Sequence, residues 1–384
     1  MSASTVGQTL GVAVIGCGGI GQTHARAARE IPGARLVGVS SRDEGRARRV
    51  AELEGCRFTT DPASLFADPE VALVSIATSS GSHASLALAD PNIDAVYDAT
   101  PDGLHAANAI ACAKAGKHVL IEKPLAMTSA DGRRVIAAAA NRGLTLSVVF
   151  QRRFEETFTA IAAAVADGAL GRMLLVEASC PYFRPQSYYD TAAWRGTNAD
   201  DGGALMNQGI HLVDLMLWLG GRARRVSAQM ATQLHQIEAE DLAVAVVNLE
   251  NGALATLLAS TNLAPGFPHA LNLYGDQGCI RTEGGAVTHW SVAEGAASAH
   301  VAPPKPAAPT AGASSPGGAF WSLPQHRAQM ADVLDAIREG RPPAITGQDG
   351  LRAVSLVEAV YESARRQRAV DLGSFGDFDA TPVP

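Results

Sequence analysis

Val12-Ala13-Val14-Ile15-Gly16-Cys17-Gly18-Gly19-Ile20-Gly21-Gln22-Thr23-His24-Ala25-Arg26 carries an apolar run straight into a glycine turn and then into an alanine-rich segment. A strand, a Gly16-x-Gly18-x-x-Gly21 turn and a helix in that order predict the first unit of a dinucleotide-binding fold. Gly16 permits the tight turn, Gly18 lets backbone approach a pyrophosphate, and Gly21 lets helix and strand pack closely. The helix N-terminus then favours phosphate charge. The expected phosphate site is the whole loop: Gly16, Gly18, Gly19, Ile20 and Gly21.

Downstream, the β-rich runs 36–40, 72–77, 95–99, 118–122 and 144–150 alternate with alanine-rich helical stretches. This alternation predicts βαβ units and a parallel sheet, a Rossmann domain over residues 1–150. Inside it, residues 68–89 and 90–111 align without a gap at a period of 22. Both copies start Asp-Pro, end their strand Ala-Thr, and open a helix with Gly-x-His-Ala, so the segment reads as a duplicated βα unit. Beyond residue 151 the pattern changes. One apolar helix, about 204–219, is followed by the strand-like runs 225–231, 242–249, 253–260 and 270–274. Residues 151–384 are therefore expected to form an α+β domain on an open, mostly antiparallel sheet. Residues 297–318, rich in Ala, Pro, Gly and Ser, read as a mobile loop. Helices over 324–339 and 347–365 close the chain, the first with Met330, Val333, Leu334 and Ile337 on its apolar face.

A chain of 384 residues that is 47% hydrophobic and 18% charged has material for two cores. Its net charge of -7 argues against a nucleic-acid partner, and the arginines around 42–49 read as an exposed helix face. Five scattered cysteines without a CxxC pair fit a reduced, cytoplasmic protein, not a disulfide framework. The N-terminus lacks a signal-peptide pattern, and no apolar stretch is long enough to span a membrane. No ligand spacing predicts a metal site, and no G-x-S-x-G elbow predicts a hydrolase.

The second strand ends Val39-Ser40-Ser41-Arg42. An NAD site carries an acidic residue near this point for the ribose 2′-hydroxyl. Ser41 and Arg42 instead suit a 2′-phosphate, which predicts NADP over NAD. A shift of one residue would put Asp43 on the ribose and leave Arg42 in solvent. About 100 residues past the glycine loop, His118-Val119-Leu120-Ile121 ends in Glu122-Lys123-Pro124. Strand ends of a parallel sheet line the ligand crevice, and an amine there can exchange a proton with a hydroxyl as hydride leaves the same carbon.

On the apolar helix, Asn207, His211, Asp214 and Trp218 fall on one stripe about 60° wide at ~100° per residue. A buried helix must satisfy such a stripe internally or turn it to a cleft. The cleft is expected, with His211 as acid/base or hydrogen-bond partner and Asp214 orienting it. Just before the helix come Arg184, Tyr188, Tyr189, Trp194 and Arg195. Tyr188, Trp194 and Arg184 read as substrate-binding, or as a packed interface. Arg152, Arg153 and Arg184 suit either a carboxylate or phosphate ligand or the surface. His24, His105 and His118 read as structural or cofactor-adjacent.

With GCGGIGQTHAR, ATPDGLH leading to AGKHVLIEKPLA, YYDTAAWRGT leading to GGALMNQGIHLVD, and HRAQMADVLDAIREGRPP, nearly the whole chain resembles the glucose–fructose oxidoreductase / inositol dehydrogenase / rhizopine-catabolism (Gfo/Idh/MocA) family. The resemblance implies a Rossmann domain followed by an α/β domain whose sheet often mediates homodimers or homotetramers. It implies that Lys123 is the catalytic lysine and His211 the catalytic-site histidine, with Thr100, Pro101 and His105 lining the nicotinamide beside Glu122 and Lys123. Two features depart from the pattern. Asn207 stands where polyol dehydrogenases of the family carry Asp, which puts a strict Asp–His relay in doubt and favours sugar substrates. The duplication also repeats the nicotinamide motif as Thr78, Ser79 and His83. Only the second copy leads into GKHVLIEKP, and it is given the cofactor role. The expected activity is NAD(P)-dependent interconversion of a ring hydroxyl and a ketone on a sugar, sugar derivative or cyclitol. The alternatives are a dihydrodiol or small-carbonyl oxidoreductase and a non-catalytic NAD(P)-binding regulator.

Overall fold

The computed structural model describes residues 9–78, 88–295 and 323–375. Ser79 and His83 of the first copy, and the segment 297–318, lie outside the described residues. The chain divides into two compact units, residues 1–151 with 321–351 and residues 152–320 with 352–384.

The first unit holds seven parallel strands: β1 (Leu10–Ile15), β2 (Ala34–Ser40), β3 (Arg57–Thr59), β4 (Val71–Ile76), β5 (Ala95–Asp98), β6 (His118–Ile121) and β7 (Leu146–Val148). Their order is β3-β2-β1-β4-β5-β6-β7. The chain runs outward on one side of β1 and then restarts on the other with β4, which opens a crevice at the strand C-terminal ends beside β1. The two repeat copies supply β4 and β5. They pair in parallel with Leu73 beside Ala95 and Ile76 beside Asp98, so equivalent positions of the repeat lie side by side. β3 has only three residues, two of them exposed, and its short sequence carries no periodic signal.

The helix Leu323–Glu339 packs on the first unit, not with 151–384 as the sequence grouping had it. Its apolar face supplies the reason. Met330, Val333, Leu334 and Ile337 are buried in one cluster with Val12, Val14, Ala25 and Ala28 of β1 and the helix Gly19–Glu30. Each such side chain contributes about 1.5–3 kcal/mol of burial. Arg327 Nη1 donates to Glu30 (2.9 Å) and Arg338 Nη2 to Gly33 O (2.7 Å), fixing the register of the contact.

The second unit holds an eight-stranded sheet: β8 (Met173–Pro181), β9 (Ala223–Ala231), β10 (Leu242–Leu249), β11 (Leu254–Ser260), β12 (Ala270–Gly275), β13 (Cys279–Glu283), β14 (Ala286–Ser291) and β15 (Val370–Asp371). The order is β14-β13-β12-β8-β11-β10-β9-β15, with β8–β11 parallel and the other pairs antiparallel. One face buries Val176, Val247, Ala255 and Leu257. The other leaves Val244, Val246 and Leu254 at 45–48% exposure.

The apolar helix of this unit is not uniform. Ala204–Gly209 forms a π-helix and Ile210–Gly220 an α-helix. The wider turn widens the accessible stripe at the N-terminal end, so Gln208 joins Asn207, His211 and Trp218 as its partly exposed residues. Asp214 is buried.

Candidate functional site

In the first unit a cleft of about 760 Å³ opens at the ends of β1, β2 and β4. Gly16 has φ +105°, and a Cβ there would clash with the carbonyl of Ala77. A Cβ on Gly21 would clash with Gly16 O, so the helix Gly19–Glu30 can close on the turn only with glycine at that place. At Gly18 an added Cβ meets nothing within 4 Å. The loop is thus closed towards the protein and open towards the cleft, and no side chain caps the helix that starts there. This cradle fits a dinucleotide pyrophosphate. Gly16, Gly18, Ser41 and Arg42 line the cleft, whereas Gly19 and Ile20 form the first helical turn outside its lining.

The far end of the cleft is polar: Ser41, Arg42, Asp43, Arg46 and Thr60. Asp43 is the N-cap of the helix Glu44–Glu54, its Oδ1 accepting from Arg46 N at 2.9 Å. The arginines of this region therefore do not all form one solvent face. Arg42 and Arg46 reach the cleft, while Arg48 pairs with Glu44 on the exposed side (2.7 Å). Arg46 was missed in the sequence, although its place one turn into a helix that starts at a strand end was a usable signal.

The neighbour of the glycine loop is Ala77–Thr78 of the first copy, a place that the cofactor role given to the second copy had not included. The strand order explains it: β4 lies between β1 and β5. Thr100, Pro101 and His105 sit one strand further on, beside the end of β6. Thr100 is buried, its N–H donating to Asp98 (3.2 Å) and its Oγ1 accepting from Asn108 (3.0 Å). His105 is wholly buried.

Lys123 is half-buried at the C-terminal end of β6, and the Lys123–Pro124 bond is cis. The Glu122 side chain, expected beside the cofactor, meets a cluster of Tyr97, His24 and His326. Its Oε1 accepts from Tyr97 Oη (2.8 Å) and lies 3.9 Å from Nε2 of both His24 and His326. His24 stacks on Tyr97 (4.0 Å) and its Nδ1 meets Ser75 Oγ at 2.8 Å, so the equivalent positions 75 and 97 of the two copies both contact it. Burial, with His326 beside it, holds His24 well below the ordinary histidine range.

In the second unit the aromatic loop and the π-helix form one hydrogen-bonded cluster. Asn207 Nδ2 donates to Asp201, and Asn207 Oδ1 accepts from Gln208 Nε2 (3.0 Å). Gln208 Oε1 accepts from Arg184 (3.3 Å), and Arg195 donates to Tyr188 Oη (2.6 Å). The Tyr188 ring lies under two guanidinium groups, Arg195 at 4.4 Å and Arg184 at 5.5 Å, and Trp194 lies 4.5 Å from Arg195. Arg184, Tyr188, Trp194 and Asn207 are therefore brought together, with Gln208 and Arg195 added.

Asp214, read from its spacing as orienting His211, makes a buried ion pair with Arg153. Both its oxygens accept from Arg153, at 2.6 and 2.9 Å, and Arg153 lies 5.1 Å over Trp218. Arg152 likewise serves the interior, meeting Glu155 (3.2 Å) and His269 (2.9 Å). Among the described residues no group of three or more His, Cys, Asp or Glu could hold a metal ion, and no helix is long and apolar enough to cross a membrane.

Glu240 holds the start of the π-helix. Its backbone oxygen accepts from Ala204 N (2.8 Å), and its Oε1 accepts from Leu205 N (2.8 Å) and Tyr361 Oη (3.1 Å). Burial pushes its carboxyl up to about 7 from 4.5. The folded state then keeps a proton that the unfolded state has lost between those values. Its stability contribution is fully present below pH 4.5 and is lost as pH rises towards 7. The expected loss is on the order of 3 kcal/mol. Urea unfolding of Glu240→Gln at acidic and alkaline pH should show most of that slope gone, and an unchanged slope would assign it elsewhere.

Comparison with known proteins settles the family. The profile of an oxidoreductase family with an NAD-binding Rossmann fold matches residues 10–89 and 87–150, two pieces that meet between the repeat copies. The GFO/IDH/MocA C-terminal domain matches residues 158–281. The chain belongs to the Gfo/Idh/MocA family. Inositol 2-dehydrogenase 2 of Saccharopolyspora erythraea is 32% identical over 282 residues, 71% of this chain and 73% of that one. D-apiose dehydrogenase of Paraburkholderia graminis is 29% identical over 372 residues, 94% and 89% of the two chains. The WlbA dehydrogenase of Bordetella pertussis, solved with NADH and UDP-GlcNAcA, superposes with a TM-score of 0.76 at 28% identity, covering 95% of this chain and 98% of that one. As a family member with the glycine cradle intact, the protein is an NAD(P)-dependent oxidoreductase.

Proposed function

We propose that the protein interconverts a ring hydroxyl and a ketone on a sugar, sugar derivative or cyclitol, with NADP preferred over NAD. The observation that carries the reading is Lys123 at a strand end of the sheet that holds the glycine cradle. Relatives named for inositol and apiose, and one solved with a nucleotide sugar, support the substrate class. A bound nicotinamide dinucleotide supplies the two-electron acceptor or donor. Lys123 takes or gives the hydroxyl proton, and His211 with Asn207 hydrogen-bonds the substrate. The asparagine can hold a hydroxyl but cannot stabilise an imidazolium as a carboxylate would. Tyr188, Trp194, Arg184 and Gln208 offer a stacking and hydrogen-bonding surface for a ring. The test is nicotinamide absorbance at ~340 nm with sugars, glycosides, uronic acids and inositols. No turnover with any of that panel would count against the substrate class.

The NADP preference rests on Ser41, Arg42 and Arg46 at the cleft end and on Asp43 being engaged as a helix cap. Arg42→Ala/Arg46→Ala should weaken NADP at least about tenfold and NAD about twofold or less, as charge-assisted contacts to a phosphate are removed. Equal weakening of both, by fluorescence titration, would make the pair a general cofactor contact.

The exposed apolar residues Val244, Val246 and Leu254 on the open sheet face support a homo-oligomer built on that face. Val246→Arg should lower the native mass by light scattering. A wild-type protein that is monomeric at all concentrations would exclude the assembly.

A further inference from the structure

His105 of the second copy faces two backbone carbonyls. Its Nδ1 lies 2.7 Å from Pro124 O and its Nε2 lies 3.0 Å from Thr100 O. The ring is 0% exposed, so water cannot stand in for either contact. A carbonyl oxygen only accepts, and a neutral imidazole has one N–H, so the neutral ring serves one carbonyl and turns a lone pair towards the other. Such a buried mismatch is costly, whereas the doubly protonated ring satisfies both oxygens. The neighbourhood is also acidic. Asp98, wholly buried at the end of β5, accepts from Thr100 N (3.2 Å), and Asp102 begins the turn that leads into His105. The remaining charged groups at the adjoining end of β6 are Glu122 and Lys123.

The two carbonyls belong to the turns that end β5 and β6. Pro124 directly follows Lys123 and its ring fixes the backbone torsion between its two peptide units, so holding Pro124 O, on the next peptide unit, anchors the turn that carries the lysine. We propose that His105 is an imidazolium donating to both Thr100 O and Pro124 O, and is thereby the positioning residue for Lys123. The lysine's part in this rests on the proposed function. The duplication then divides the work. The first copy borders the glycine loop, and the second builds the seat of the lysine.

Nitrogen NMR of the full-length protein labelled in histidine, at about pH 7.5, reads the ring directly, with His105→Asn identifying its signals. Protons on both ring nitrogens are expected, and one unprotonated nitrogen overturns the proposal. His105→Asn keeps a donor near the Nδ1 place, towards Pro124 O. His105→Gln keeps one near the Nε2 place, towards Thr100 O. The first should lower kcat about tenfold and the second about 100-fold, with dinucleotide Kd within about twofold in both, as expected for a misaimed catalytic group. Equal kcat losses, or cofactor affinity falling in step with kcat, overturn the positioning role. If Lys123→Ala keeps full turnover, the role of the lysine fails, and the positioning role with it, while the NMR result still decides the state of the ring.

Discussion

Lys123→Ala is expected to lower kcat by about 10³-fold, within the 10²–10⁴ that a positioned acid–base group contributes. Dinucleotide Kd should stay within about twofold, because the cradle is built from residues that do not include the lysine. Lys123→Arg tests the same idea from the other side. It keeps a cation at the strand end but cannot give up its proton, so turnover should stay low. If the lysine merely supplied positive charge, arginine would restore most of the rate. Turnover at ~340 nm beside a fluorescence titration of the cofactor separates these cases. A Lys123→Ala protein as active as wild type would remove the lysine from the chemistry. A large rise in Kd would instead make it a cofactor contact.

Local patterns carried most of the fold. The glycine turn, six of the seven strands of the parallel sheet and the antiparallel character of the second sheet follow from short-range periodicity, and the structure holds them. The repeat was legible as two βα units, and their strands are neighbours in the sheet. What the repeat does to the site was not legible. Sequence continuity favoured the second copy because it runs into His118–Ile121. The glycine loop, however, touches whichever strand lies next to β1, and the chain restarts there with β4. The second copy therefore sits between β4 and β6, and Lys123 lies one strand spacing, ~4.8 Å, further from the loop than a single copy would place it. The helix Leu323–Glu339 shows a similar limit. Its apolar face was visible, but which core it covers is a long-range choice. At the second site the polar stripe was read from α-helical geometry, and the π-turn added Gln208 to it. Partners of buried charges were the least legible, since nothing local ties Asp214 to Arg153.

That pair makes the sharper test of what Asp214 does. Asp214→Ala should destabilise the protein by about 3–5 kcal/mol, because it leaves the Arg153 guanidinium buried without its carboxylate. Arg153 is 8% exposed and Asp214 2%, so neither charge can be rehydrated without disturbing the helix Ile210–Gly220. A buried pair gains little over apolar residues of similar volume, so Arg153→Met/Asp214→Leu should recover most of the loss. The measured coupling between the two sites would then approach the single-mutant cost. If Asp214 instead served chiefly to orient His211, the double variant would regain stability but not turnover, and Arg153→Met alone would leave kcat nearly intact. The structural outcome is the one expected from the bidentate pair, in which both carboxylate oxygens accept from one guanidinium. Urea unfolding and kcat on the four proteins of the cycle decide between them. A stability loss in Asp214→Ala that the double variant does not relieve would mean the pair is not what Asp214 chiefly serves.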